Sequence, residues 1–198
     1  MSHNLLTYLN HFVRLSPDEF AELYTQLETR SFQKGEQVTR IGKQEEYMYF
    51  ILTGLVRKYF LKDKEEIITY IAKEGNIVGS AVSFLSGKAS KYIIEALEPT
   101  TTLAISRQKL EALYKKNNKW ERVARIISSH YFIVLEQRFL DNIRFSMYER
   151  FIHFINENPD LLARVPQKYL ASYLNIKPET FSRLKKNLKS QMIMSAIS

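Results

Sequence analysis

VPQKYLASYLNIKPETFSRLKKNLKS, residues 165–190, holds two helical patterns divided by one short breaker. Leu170 and Leu174, with Ala171 between them, mark the inward face of a first helix, and Pro178 opens a second whose inward face is Phe181, Leu184 and Leu188. Ala171 stands where the second helix crosses closest, so a larger side chain there would push the pair apart. Asn175 occupies the turn, where a left-handed backbone is often needed and asparagine tolerates it, and Ile176 plugs the junction. The outward face of the second helix carries Glu179, Thr180, Ser182, Arg183, Lys185, Lys186 and Lys189. One acid among four cations and two hydroxyls suits the major groove of DNA.

Charge supports that reading. The chain of 198 residues carries a net +8, and from Phe145 onward eight Lys or Arg stand against four Asp or Glu, so half of the excess lies in about a quarter of the length. A solvated basic helix face is the plain alternative, but the small residue, turn residue and plugs fall in register with a helix-turn-helix. Membrane-surface binding is disfavoured because packing consumes the apolar face.

With 45% apolar residues the chain can bury sizeable cores, and it contains no run near the roughly 18 apolar residues that a membrane helix requires. Residues 1–15, with Asn4, Asn10, His11 and Arg14, have no signal-peptide core, so a cytoplasmic location is expected. The absence of cysteine excludes disulfides, thiolate zinc sites and cysteine-held iron–sulfur clusters. Ser16, Pro17 and Glu19 compose a capping box that opens a helix running to about Glu28.

From residue 30 to 106 the texture changes. All six glycines fall here, between segments such as YMYFILTG (47–54), LVRKYFL (55–61), EIITYIA (66–72) and TTLAIS (101–106). Short β-rich runs separated by glycine turns predict an antiparallel jelly roll able to enclose a small cavity. That stretch contains no histidine, so it cannot build the histidine–carboxylate metal site of a jelly-roll oxygenase; His3, His11, His130 and His153 are scattered and make haem a poor candidate. No serine–histidine–acid grouping or phosphate-binding glycine loop of the Walker type is present, and an enzyme is not expected. No cofactor is expected either.

Beyond Ile105 helix formers take over, with a short helix over 106–117 and a long one over 118–145. The long helix has two apolar stripes: Trp120, Ala124, Ile127, Tyr131 and Val134 on one side, and Phe132, Leu135, Phe139 and Ile143 on the other. Either the helix is buried all round, or one stripe packs on its own barrel and the other on a second copy.

The glycine-punctuated barrel, the long helix and a C-terminal helix-turn-helix carrying ETFSR (179–183) resemble the bacterial cyclic-AMP receptor/Fnr (Crp/Fnr) family of transcription regulators over essentially the whole chain. The resemblance implies an α+β fold: an N-terminal antiparallel β jelly roll like a cyclic-nucleotide-binding domain (1–115), a long dimerisation helix (116–144) and a winged-type helix-turn-helix domain (145–198). It favours a dimer, with Trp120, Ala124, Ile127, Tyr131 and Val134 as the expected interface, and double-stranded DNA as partner. DNA contact is then expected from Lys168, Lys177, Glu179, Thr180, Ser182, Arg183 and Lys186. The family's recognition motif, R-E-T-V-x-R, places its first arginine at Pro178, its glutamate at Glu179 and its last arginine at Arg183, so one base contact is lost. Only SQMIMSAIS (190–198) follows, which leaves the family's β-wing short or missing.

GNIVGSAVSFLSGKASKY (75–92) aligns with the family's phosphate-binding cassette, whose pattern is G-E-L followed by R-S. Here that register reads Gly79, Ser80, Ala81 and then Ser90, Lys91, without the glutamate for the ribose or the arginine for the phosphate. Lys91 is one residue out of phase and should point away from a pocket that Ser90 faces. The adenine-contacting Thr-Ser pair of the family falls on Leu135 and Glu136. A phosphate entering a partly desolvated site without its cation is unfavourable, so no response to cyclic AMP is expected. The small-residue loop of Gly79, Ser80, Ser83, Ser86 and Gly87 could hold another effector, which the residues do not identify, or simply close the barrel. A ligand-sensing or protein-interaction module whose basic C-terminal domain binds acidic partners is the alternative function.

Overall fold

The computed structural model describes the backbone of residues 2–197 and the side chains of residues 4–188. His3 and Lys189 are outside the described side chains. The chain opens with α1 (Ser2–Asn10) and α2 (Pro17–Gln26). Both halves of the expected capping box form on α2: the Ser16 hydroxyl accepts from the Glu19 amide and the Glu19 carboxylate accepts from Ser16 N. Strands β1 (Glu28–Phe32), β2 (Gln37–Thr39), β3 (Tyr47–Thr53), β4 (Val56–Lys62), β5 (Glu65–Ala72) and β6 (Ile77–Val78) follow. Helix α3 (Ala81–Ser86) separates them from β7 (Ile93–Ala96) and β8 (Thr100–Ser106). The remainder is helical: α4 (Arg107–Lys116), α5 (Asn118–Arg144), α6 (Met147–Glu157), α7 (Leu161–Arg164), α8 (Gln167–Tyr173) and α9 (Pro178–Ile197). Among the described residues no helix is long and apolar enough to cross a membrane.

The strands form two four-stranded antiparallel sheets, ordered β1-β8-β3-β6 and β2-β7-β4-β5. Strand β3 reads as a continuous apolar run because both its faces are covered. Tyr49 and Ile51 point between the sheets with Val56, Val78 and Ile94, while Phe50 and Leu52 point outward under α1, α2, α4 and the start of α5. Gly54 turns β3 into β4 with φ +101°, where a Cβ would lie 2.5 Å from Thr100 Oγ1; only glycine fits.

The outer face of the other sheet is also apolar. Leu55, Tyr59, Ile68, Ile71 and Ile93 are buried in one continuous core with Phe151, Leu170, Leu174, Ile176 and Phe181 of the helical head. Barrel and head therefore share a core.

The barrel interior holds a buried lysine. Lys58 follows Val56 by two residues on β4 and so faces the same way, inward. It is 8% exposed, its ammonium donates to the Gly79 carbonyl at 3.0 Å and lies 4.5 Å over the Tyr92 ring, and no carboxylate forms a salt bridge with it among the described residues. Burial lowers its pKa from 10.5 to about 8, against the opposing attraction of Glu45. The folded chain thus binds this proton less readily than the unfolded chain, so the Lys58 contribution to stability improves as pH rises from about 8 to 10.5. Lys58→Met should raise stability at pH 7 by about 1–3 kcal/mol and remove that rise. Chemical denaturation of both proteins across this range checks it; a variant no more stable than the parent, with the same pH dependence, would show that the ammonium is not desolvated as described.

Candidate ligand cassette and nucleic-acid interface

The helix-turn-helix forms from α8 and α9, built as their residues dictate. Ala171 and Phe181 are fully buried, and Phe151 of α6 meets Phe181 edge-on at 5.2 Å. Asn175 adopts φ +54°, the left-handed turn its position requires, and the Ile176 amide closes the turn on the Ala171 carbonyl at 2.9 Å. Pro178 begins α9, where its missing N–H costs nothing. With both inner faces consumed, the chemistry-bearing residues point out: Lys168, Lys177, Glu179, Ser182, Arg183 and Lys186 are exposed and Thr180 is half-buried. Among the described residues Glu179 and Arg183 form no ion pair, which leaves a free acceptor and a free guanidinium fork side by side on one helix. Helix α9 continues to Ile197, so the described backbone has no β-hairpin after the recognition helix; residues 189–197 contain neither the glycine nor the proline that a tight turn would use.

The cassette is polar and closed. Its centre is α3, six residues that the glycine- and serine-rich sequence disguised as loop; Gly87 ends it in a left-handed cap at φ +72°. A Cβ on Gly79 would meet Met48 Sδ at 2.6 Å, so a larger residue at the bend into α3 would have to displace the Met48 side chain. Ser80, Ser83 and Ser90 are buried, and the hydroxyls of Ser80 and Ser90 lie 2.9 Å apart. Ala81 is half-buried, and Lys91 is exposed while Ser90 turns inward, the opposition expected of adjacent residues on an extended chain.

Two residues that the sequence left unmarked complete this network. The carboxylate of Glu45, 4% exposed, accepts from the Ser80 amide at 3.2 Å and from the Thr39 hydroxyl, while its own backbone amide donates to Ser83 Oγ at 2.8 Å. Lys58 reaches the Gly79 carbonyl from the opposite strand. Alternation along VRK (56–58) could have signalled the lysine; nothing local marks Glu45, which reaches the cassette from 35 residues away. Where a bound anion would seek the Ser80 N–H, the structure already places a carboxylate. Leu135 and Glu136 are both exposed on α5 and join no part of this network. No group of three or more potential metal ligands occurs among the described residues.

The single chain already covers part of the expected dimer stripe. Trp120 is 3% exposed within the single chain, packs with Leu5, Leu9, Leu23 and Leu113, and donates from Nε1 to Glu22 at 3.2 Å. Ile127 packs against the same cluster, Ala124 and Tyr131 are half-buried, and of the five only Val134 is exposed. Helical period identifies a stripe but not what it faces, and this one is needed to cover the barrel. The second stripe is the open one: Phe132 (66% exposed), Leu135, Phe139 (65%) and Ile143 (68%), continued by Met147 and Tyr148 at the start of α6.

Residues 29–117 match the family described as the cyclic nucleotide-binding domain. No curated protein sequence matches the chain. Among solved structures, FixK2 from Bradyrhizobium japonicum is 23% identical with a TM-score of 0.74, over 84% of this chain and 86% of that one. The catabolite activator protein of Thermus thermophilus is 21% identical over 93% of this chain and 87% of its own, with a TM-score of 0.58. The c-di-GMP responsive global regulator CLP of Xanthomonas campestris is 17% identical over 86% and 90%, with a TM-score of 0.62. Residues 29–117 thus carry the cyclic nucleotide-binding domain match, and the chain as a whole has the fold of the Crp/Fnr regulators.

Proposed function

We propose that the protein is a sequence-specific, DNA-binding transcriptional regulator that acts as a homodimer and does not respond to cyclic AMP. The observation that carries this reading is the outer face of α9, where Glu179 and Arg183 form no ion pair among the described residues and stand amid exposed cations, on a helix-turn-helix whose inner faces are buried. The regulators of like fold named above support it. Glu179 accepts from a cytosine amino group, Arg183 grips guanine O6 and N7 as a fork, and Lys168, Lys177, Lys186, Thr180 and Ser182 hold phosphates. Residues 1–115, 116–144 and 145–198 serve as sensor, dimerisation helix and reader. Pairing of two α5 helices through Phe132, Leu135, Phe139 and Ile143 covers the apolar stripe and sets the recognition helices against successive major grooves of a pseudo-palindrome.

The cassette lacks both charged anchors for a cyclic nucleotide, and Glu45 occupies the Ser80 amide. A phosphate entering there would have to displace the Glu45 carboxylate from the Ser80 amide, and the nearby Lys58 ammonium is already engaged by the Gly79 carbonyl, which makes entry unfavourable. No effector is assigned to the barrel.

Binding to labelled DNA from a palindrome selection, titrated with salt, tests the reading. Arg183→Ala should cost about 1–3 kcal/mol and relax preference at one base position, whereas Lys168→Ala should weaken all sequences alike and flatten the salt slope by about one unit. Cyclic AMP should leave every curve in place; affinity that appears only with the nucleotide refutes the cassette argument, and uniformly sequence-blind binding refutes the reader assignment. Phe139→Glu, which puts a charge in the open stripe, should shift sedimentation from dimer to monomer with the barrel still folded. A variant that sediments as the parent does would rule out the α5 interface.

A further inference from the structure

The head is held to the barrel by much more than the α5–α6 joint. Strand β5 is the edge of its sheet, so its outward N–H and C=O groups have no strand to pair with. Ser172 of α8 takes their place as partner: its hydroxyl accepts from the Ile68 amide at 3.0 Å and donates to the Glu66 carbonyl at 3.2 Å. Arg138 of α5 joins three elements at one point, donating to the Thr69 carbonyl on β5 and the Tyr173 carbonyl at the end of α8, with its guanidinium 3.9 Å over the Tyr173 ring. Arg57, 3% exposed and paired with Glu66 and Glu95, lies between the rings of Tyr59 on the barrel and Tyr169 on the head. On another side Arg164 of α7 reaches Glu74, Glu98 and the Gly54 carbonyl. These attachments surround an apolar core that itself crosses the boundary.

A head fixed at several separated points cannot swivel on its tether. In a dimer joined through α5, the separation and rotation of the two α9 helices then follow from the fold of each chain. Adding one base pair between half-sites moves one of them by about 3.4 Å and turns it by roughly 35°, displacements that a rigid pair of readers cannot follow. We propose that Ser172 and Arg138 are positioning residues that set the half-site spacing the protein accepts. This inference rests on the reading of the chain as a dimeric DNA binder. Neither residue lies on the reading face of α9, so their part is in where the reader stands rather than in what it reads.

The test uses the full-length protein, a set of palindromes differing by single base pairs in the spacer, and four variants: Ser172→Ala, the double variant Ser172→Ala/Arg138→Met, and the conservative Ser172→Thr and Arg138→Lys. Hydrogen exchange at the Ile68 amide reports the contact without DNA. The parent should protect that amide and favour one spacer by at least about tenfold over its neighbours, ~1.4 kcal/mol. Ser172→Ala should expose the amide; the double variant should bind neighbouring spacers within about threefold of one another with half-site preference intact, and the conservative variants should restore selectivity. Ser172→Ala keeps a good helix former in α8 and remains informative if the double variant does not fold; it should show the same broadening in smaller degree. Faster exchange with an unchanged single spacer overturns the inference, and so does an Ile68 amide equally exposed in the parent. A parent that protects Ile68 yet selects no palindrome of any spacing overturns the DNA-binding reading, and the spacing role falls with it.

Discussion

The sheet β2-β7-β4-β5 has to be covered on both faces, and most of the molecule follows from that requirement. Its inner face closes against the other sheet. Its outer face presents Leu55, Tyr59, Ile68, Ile71 and Ile93, too much apolar surface to leave in water. The helical head supplies the cover with the same residues that hold α6, α8 and α9 together, so one hydrophobic term stabilises both the sheet and the helix-turn-helix. Polar contacts at Ser172, Arg138, Arg57 and Arg164 add direction to an attraction that by itself has none.

Buried charge is treated in two different ways within a few residues of β4. Arg57 faces the head, where two carboxylates and two aromatic rings compensate it, and the pair geometry fixes how barrel and head meet. Lys58 faces the interior, where a carbonyl, a ring and the longer-range attraction of Glu45 attend it. The first arrangement gives orientation at little cost, while the second is a net expense of stability at the cassette. Together with Glu45 it gives the cassette a filled network of internal donors and acceptors in which the Ser80 amide is already taken.

The helix-turn-helix was legible because its spacing rules are local: a small residue, a turn residue and three plugs within a dozen positions each meet a steric demand of the motif. The barrel was legible as a class, from glycine turns between β-rich runs, but not in its pairing, since β1 lies beside β8 and β2 beside β7. Helix α3 was hidden by serines and glycine that weaken helical propensity and form a helix only when packed. The α5 stripes were both visible, but the burial of Trp120 within its own chain was not, because period reports that a face is buried and is silent on what buries it. Glu45 was missed for a related reason: a hydrogen bond spanning 35 residues leaves no trace in either segment alone.

The common core also bears on how such a molecule can be altered. Ile71 belongs to a core shared by the sheet and the seat of the reader, so a change there that suits the sheet must also suit the helical side of that core. A reader lifted from this chain onto a different barrel would arrive with its underside bare, and the barrel left behind would expose a strand edge and an oily wall. The two halves are not modules joined by a linker; as heritable units they form a single piece.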